Sequence, residues 1–124
     1  MIESASPLTV EQDFLAHAAE DWMSAAEALG LALRSGLTEP GDLRDLTVGI
    51  LGRLLLNGLL VAGEIGDGSF APWRVSTAEA IARIIRQWSD APDPMVMPGE
   101  IAWFDTTPRG QALGESYWRN GDAE

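Results

Sequence analysis

The sequence predicts an α+β fold, a mostly helical single domain with a small antiparallel sheet, and three observations predict it. Residues 43–65, LRDLTVGILGRLLLNGLLVAGEI, read as helix, stop, strand, because apolar residues at three- and four-residue steps give way to Asn57-Gly58 and then to a short apolar run. A second apolar strand, residues 101–106, lies far along the chain. Two capping boxes, Thr9-Val10-Glu11-Gln12 and Ser76-Thr77-Ala78-Glu79, each mark the start of a helix, since side chain and backbone there can satisfy one another reciprocally.

Taken in order, residues 1–8 lack periodicity and are expected to be a loose end. From the Thr9 box, Phe14, Ala18, Trp22, Ala25, Leu29 and Ala32 recur at helical spacing. One helix is therefore expected up to Arg34-Ser35-Gly36, with Gly30 as the candidate point of division. Leu37 to Asp42 is turn chemistry, with Thr38 or Asp42 as the cap of a helix starting near residue 40. That helix turns Leu43, Leu46, Ile50, Leu54 and Leu55 inward, and Gly58 closes it with Leu59 as the accompanying apolar contact.

Residues 59–65 are the first strand and Gly66-Asp67-Gly68-Ser69 a turn. Phe70-Ala71-Pro72-Trp73 is extended but excluded from the middle of a sheet by Pro72, which has no amide hydrogen. The helix after Ser76 faces Ile81, Ile84, Ile85 and Trp88 inward and stops before Pro92. Residues 89–100 form an irregular proline loop. The strand at 101–106, apolar on both faces at its centre, is expected to be covered by helix and paired antiparallel with the first. A last helix is capped by Thr107, carries Pro108 at its first position and turns Ala112, Leu113 and Tyr117 inward, with 119–124 fraying.

Composition bounds the function. Of 124 residues, 46% are hydrophobic and 22% charged, the balance of a chain that folds alone. No apolar run approaches the roughly 20 residues that cross a bilayer, and the start MIESASPLTV has an acidic residue where a secretory signal has basic ones. A cytoplasmic location without membrane attachment is expected. The chain has no cysteine, hence no disulfide or thiolate chemistry. Nineteen acidic residues against eight basic ones give a formal charge of −11, spread over both halves. Such a field repels phosphate backbones and membrane surfaces and speeds the approach of a basic protein; it also serves solubility, whatever else it does.

Asn57-Gly58-Leu59-Leu60 between helix and strand, and later a strand running into Thr107-Pro108-Arg109-Gly110 and a helix, resemble the wing region of winged-helix proteins. Those show a "G-L-[LI]" exit from the third helix and a "T-x-x-G" opening to the helix after the wing. The resemblance covers these two short pieces and implies a winged-helix scaffold. Through it, DNA binding as a transcriptional regulator is implied. The family pattern has three helices before that strand; this sequence has two unless the first divides at Gly30.

Candidate chemistry is sparse. Asp13, His17 and Asp21 stand four residues apart beside Glu20, a spacing open to a metal but equally to surface pairing, and a second helix would have to complete the shell. No metal and no cofactor are expected. His17 as a general base lacks a nucleophile motif such as G-x-S-x-G, and GEIGDG at 63–68 lacks the lysine and serine of a phosphate loop. Arg74, Arg83 and Arg86 are the one locally basic group and the place for nucleic acid if any binds. Of five tryptophans, Trp22, Trp88 and Trp103 fall on inward faces, while Trp73 and Trp118 are undetermined. An exposed one, Trp118 foremost, suits a contact anchor.

The partner surface expected from the sequence is a ridge of Asp13, Glu20 and Glu27, seven residues apart on one helix, a spacing that drifts only about 20° per step. Two functions follow. One is a non-catalytic acidic protein-binding module that sequesters a basic partner in the manner of immunity or antitoxin proteins. The alternative is a winged-helix regulator on DNA, which the charge opposes. Oligomeric state is left open by the sequence.

Overall fold

The Thr9 hydroxyl accepts the Gln12 amide at 3.1 Å and Gln12 Oε1 accepts the Thr9 amide at 3.0 Å, so α1 (Val10–Glu20) starts at the expected box. The computed structural model describes residues 8–122. The helix does not continue to Arg34. Asp21 is extended (φ −162°, ψ 164°), Met23–Ser24 forms a short strand, β1, and a further capping box of Ser24 and Glu27 opens α2 (Ala25–Ala32). A 3₁₀ turn, Leu33–Ser35, follows and ends at Gly36 with φ 92°. The division thus falls at residues 21–24, whereas Gly30 lies inside α2. Strand pairing is the reason: Met23 stands opposite Phe104 and Ser24 opposite Trp103, so the backbone groups a helix would have bonded are taken up by the sheet.

α3 (Pro40–Leu56) starts where expected, but its cap is Glu39, whose carboxylate accepts the Asp42 amide at 2.8 Å, rather than Thr38 or Asp42. Its end is as read. Gly58 has φ 70°, its amide donates to the Leu55 carbonyl at 3.1 Å, and the Leu59 amide reaches back to the Leu54 carbonyl at 3.0 Å with the Leu59 side chain buried.

Four strands, β1, β2 (Leu60–Gly66), β3 (Ser69–Pro72) and β4 (Trp103–Thr106), form one antiparallel sheet in the order β1-β4-β2-β3. The two strands expected to pair do so, from Leu60 opposite Thr106 to Gly63 opposite Trp103. Asp67-Gly68, with φ of 54° and 77°, makes the tight turn of the β2–β3 hairpin. Trp73 donates its amide to the Ala62 carbonyl at 3.0 Å, and alternation from there points the backbone of Phe70 and Pro72 away from β2. Pro72 therefore occupies the edge.

The pleat gives the sheet two unlike faces. Met23, Phe104, Ala62 and Leu60 are buried on one of them. The other carries Trp103 and Asp105, both half-buried, beside the buried Ser24 and Gly63, so β4 is covered less fully on that face than on the first. Trp22 is likewise half-buried, which leaves Trp88, fully enclosed, as the tryptophan of the core among Trp22, Trp88 and Trp103.

α4 (Thr77–Asp90) opens on the Ser76–Glu79 box and buries Ala80, Ile84 and Trp88, one stripe at four-residue spacing. Ile85, expected inside, is 47% exposed because it stands beside that stripe and Ala80 takes the inward place. The Trp88 indole donates to the Pro94 carbonyl at 2.9 Å and ties down the proline loop. α5 (Pro108–Asp122) is capped by Thr107 as expected. Its inner face is different. Ala112 and Leu113 are exposed, and the buried positions are Gly110 and Gly114, where an added Cβ would stand 1.9 Å from the Leu59 carbonyl oxygen and 2.7 Å from that of Leu15. α5 thus packs against backbone, and its range includes 119–122 of the end expected to fray, while 123 and 124 lie outside the described residues. The loose end expected at residues 1–8 lies, but for Leu8, outside the described residues.

Candidate functional site

The acidic ridge does not form. Asp13 is 8% exposed and ion-paired to Arg34, Glu20 is exposed at the end of α1, and Glu27 sits on a separate helix with its carboxylate engaged at 3.2 Å with the Ser24 amide. The heptad spacing needed one unbroken helix, and β1 interrupts it. Trp118 is 36% exposed, and its indole donates to the Ala16 carbonyl at 2.8 Å, so it clamps α5 to α1 while presenting an edge to solvent. Among the described residues no three His, Cys, Asp or Glu side chains gather as a metal site; Asp13 faces Arg34 and Asp21 accepts the Trp22 amide at 2.8 Å.

The arginines expected for nucleic acid divide as well. Arg74 and Arg86 are exposed. Arg83 is committed within the molecule: its guanidinium lies 3.8 Å from the centre of the Trp73 ring and donates to Glu64 Oε2 at 3.1 Å, and the same oxygen accepts the Trp73 indole N–H at 3.3 Å. This triangle of cation, ring and carboxylate is stabilised both by the ring quadrupole and by charge.

A groove of about 530 Å³ runs between α1, α3 and α5, floored by Leu15, Ile50, Leu54, Leu59 and Tyr117. Glu11 and Arg53 bridge its rim at 2.8 Å. Beside it a second hollow of about 510 Å³ is lined by Asn57, Leu59, Arg109 and Leu113. Their aliphatic floors can shield apolar surface, and the one charged pair at the rim is already neutralised internally.

The outer face of the sheet was not singled out by sequence reasoning. Trp22 and Phe70 stack there with centroids 6.5 Å apart and planes at 30°. Gly63, opposite Trp103 in the neighbouring strand, makes the space: a Cβ on it would stand 2.8 Å from Phe70 Cζ, so the absence of a side chain lets the phenyl ring lie across the strand. The signal was present in Asp67-Gly68 as a hairpin turn, which places Phe70 opposite Ile65 and fixes the face it takes. Asp105, opposite Val61, lies on this face and Asp21 directly precedes Trp22 in the chain; their carboxylates accept only backbone amides, those of Trp22 and Thr106, both at 2.8 Å. No helix among the described residues is long and apolar enough to cross a membrane. No family model matches the chain, and no curated protein or solved structure matches it significantly.

Proposed function

We propose that the chain is a non-catalytic acidic module that binds a basic protein partner, sequestering it in the manner of immunity or antitoxin proteins. The observation that carries this reading is the disposition of charge. Against a formal charge of −11, the arginine ion pairs are Arg34–Asp13, Arg44–Asp45, Arg53–Glu11 and Arg83–Glu64, and most of the described carboxylates have no such partner. Exposed unpaired carboxylates add little to the stability of a fold and repel one another, whereas they accelerate encounter with a cationic surface. A cytoplasmic setting fits the absence of cysteine.

A second reading, a winged-helix regulator on DNA, gains from the fold in one respect. With α1 and α2 separate, three helices precede β2, as in the winged-helix pattern. It loses in two others: Arg83 is committed to Trp73 and Glu64, and a hairpin strand and a helix, β3 and α4, stand between the two paired strands. The test that separates the readings is capture on the tagged chain at low salt, followed by reconstitution from purified components. A basic protein that rebinds, and whose association slows steeply with added salt, supports the first. Sub-micromolar binding to duplex DNA at physiological salt, with no such protein, would reverse the ranking.

A further inference from the structure

We propose that the outer face of the sheet, where Trp22, Phe70 and Trp103 gather around Gly63, is the docking surface for an arginine- or lysine-rich segment of a protein partner; this rests on the acidic-module reading and gives it a place. Three observations carry it. The first is exposure. Along the outward positions of the strands, Val61, Ile65, Phe70, Trp103 and Asp105 are half-buried, as is Trp22 beside them, around the buried Ser24 and Gly63, whereas Met23, Ala62 and Phe104 on the reverse are buried. Aromatic rings gathered on a sheet and left partly open are costly to keep wet and well suited to contact.

The second is charge. The four strands, the two-residue turn and the residues leading into β1 hold Asp21, Glu64, Asp67 and Asp105 and no arginine or lysine. Of these, Glu64 is on the inner side with Arg83, while Asp21 and Asp105 bond only to neighbouring amides and keep their charge uncompensated. The occupant that fits is cationic.

The third is a template within the same molecule. Arg83 already docks on an aromatic ring with a carboxylate to accept from it, at 3.8 Å and 3.1 Å respectively. The outer face repeats the ring and the carboxylate, and its strands supply no cation; Arg83 reaches only the hollow at its margin that Ile65 and Trp103 line. Docking is onto the face and not along the edge, because Pro72 removes an outward amide from β3 and β1 is only two residues long.

The experiment uses the whole chain and a ten-residue arginine peptide as the probe, with a ten-residue lysine peptide beside it. Indole N–H resonances are followed by two-dimensional NMR during titration at low and at physiological salt. The expected result is that the Trp22 and Trp103 indole signals shift with the peptide while that of Trp88 stays, and that the arginine peptide binds more tightly. Trp22→Leu and Asp105→Asn are each expected to weaken binding about fivefold, the effect of one exposed cation–π or charge contact. Should Trp22→Leu fail to fold, the wild-type shifts decide alone. Binding that shifts other signals but leaves Trp22 and Trp103 unmoved would overturn this surface and leave the acidic module standing. No binding of either peptide even at low salt would overturn both.

Discussion

α4 and α5 are held to the molecule in opposite ways. α4 rests on α3 through side chains: Ile84 and Trp88 are enclosed, and Ile81 reaches to 3.9 Å from where a Cβ on Gly52 would be. α5 rests on α1 and on the end of α3 through backbone. Gly110 lies against the Leu59 carbonyl, Gly114 against that of Leu15, and polar groups complete the seam, with Gln111 Nε2 donating to Ala19 O and the Thr107 hydroxyl to Gly58 O. The lesson is one of sign. A helix packed by side chains is weakened by removing atoms, a helix packed by glycine is weakened by adding them.

The largest expected effect tests the first half. Trp88→Ala empties the site of a fully buried indole and strips the Pro94 carbonyl of its donor. A loss of about 3–5 kcal/mol is expected in urea denaturation, and a loss below about 1 kcal/mol would mean that α4 is not held by its side chains. Next comes Gly110→Ala. At an ordinary helix position this change stabilises by up to about 1 kcal/mol; here the methyl meets backbone, and a destabilisation of about 3 kcal/mol is expected. A stabilised variant would erase the contrast. Trp118→Phe keeps most of the apolar surface and removes the donor to Ala16 O. Its expected cost is about 1 kcal/mol, read as a small fall in melting temperature. Smallest is Ile85→Ser at an open position on α4, expected within about 0.5 kcal/mol; a larger loss would place Ile85 under cover in solution.

The same contrast explains what the sequence disclosed. α3 and α4 were legible because side-chain packing leaves a period, and Gly58 and the Ser76 box punctuate it. Ile85 misled, and so did Leu46, half-buried where Thr47 and Leu51 are enclosed, since spacing cannot separate the centre of a stripe from its margin. α5 was legible in its cap and not in its face, because glycine packed on backbone leaves no apolar pattern and Leu113 supplied a false one. The break after Glu20 was hidden for a related reason. Trp22, Ala25 and Leu29 keep helical spacing across it, and β1 is too short to show alternation, although Ser24-x-x-Glu27 announced the new start as plainly as the Thr9 box did. The expected site fell with that break, since Asp13, Glu20 and Glu27 align only on a continuous helix. Arg83 was visible as a basic residue, but its commitment to Trp73 and Glu64 depends on residues nine and nineteen apart from Glu64, brought together only by the hairpin and α4.

Pro72 bears on how this protein behaves when crowded. A sheet grows into filaments by offering a long unpaired strand to the next molecule, and neither margin here makes that offer. On one side the outward backbone of β3 is that of Phe70 and a proline; on the other β1 is Met23 and Ser24 alone. Native chains that collide at high concentration therefore find no strand to copy, and the strong negative charge keeps them apart besides. Among the described residues, the sheet is closed to growth at both margins without being closed into a barrel.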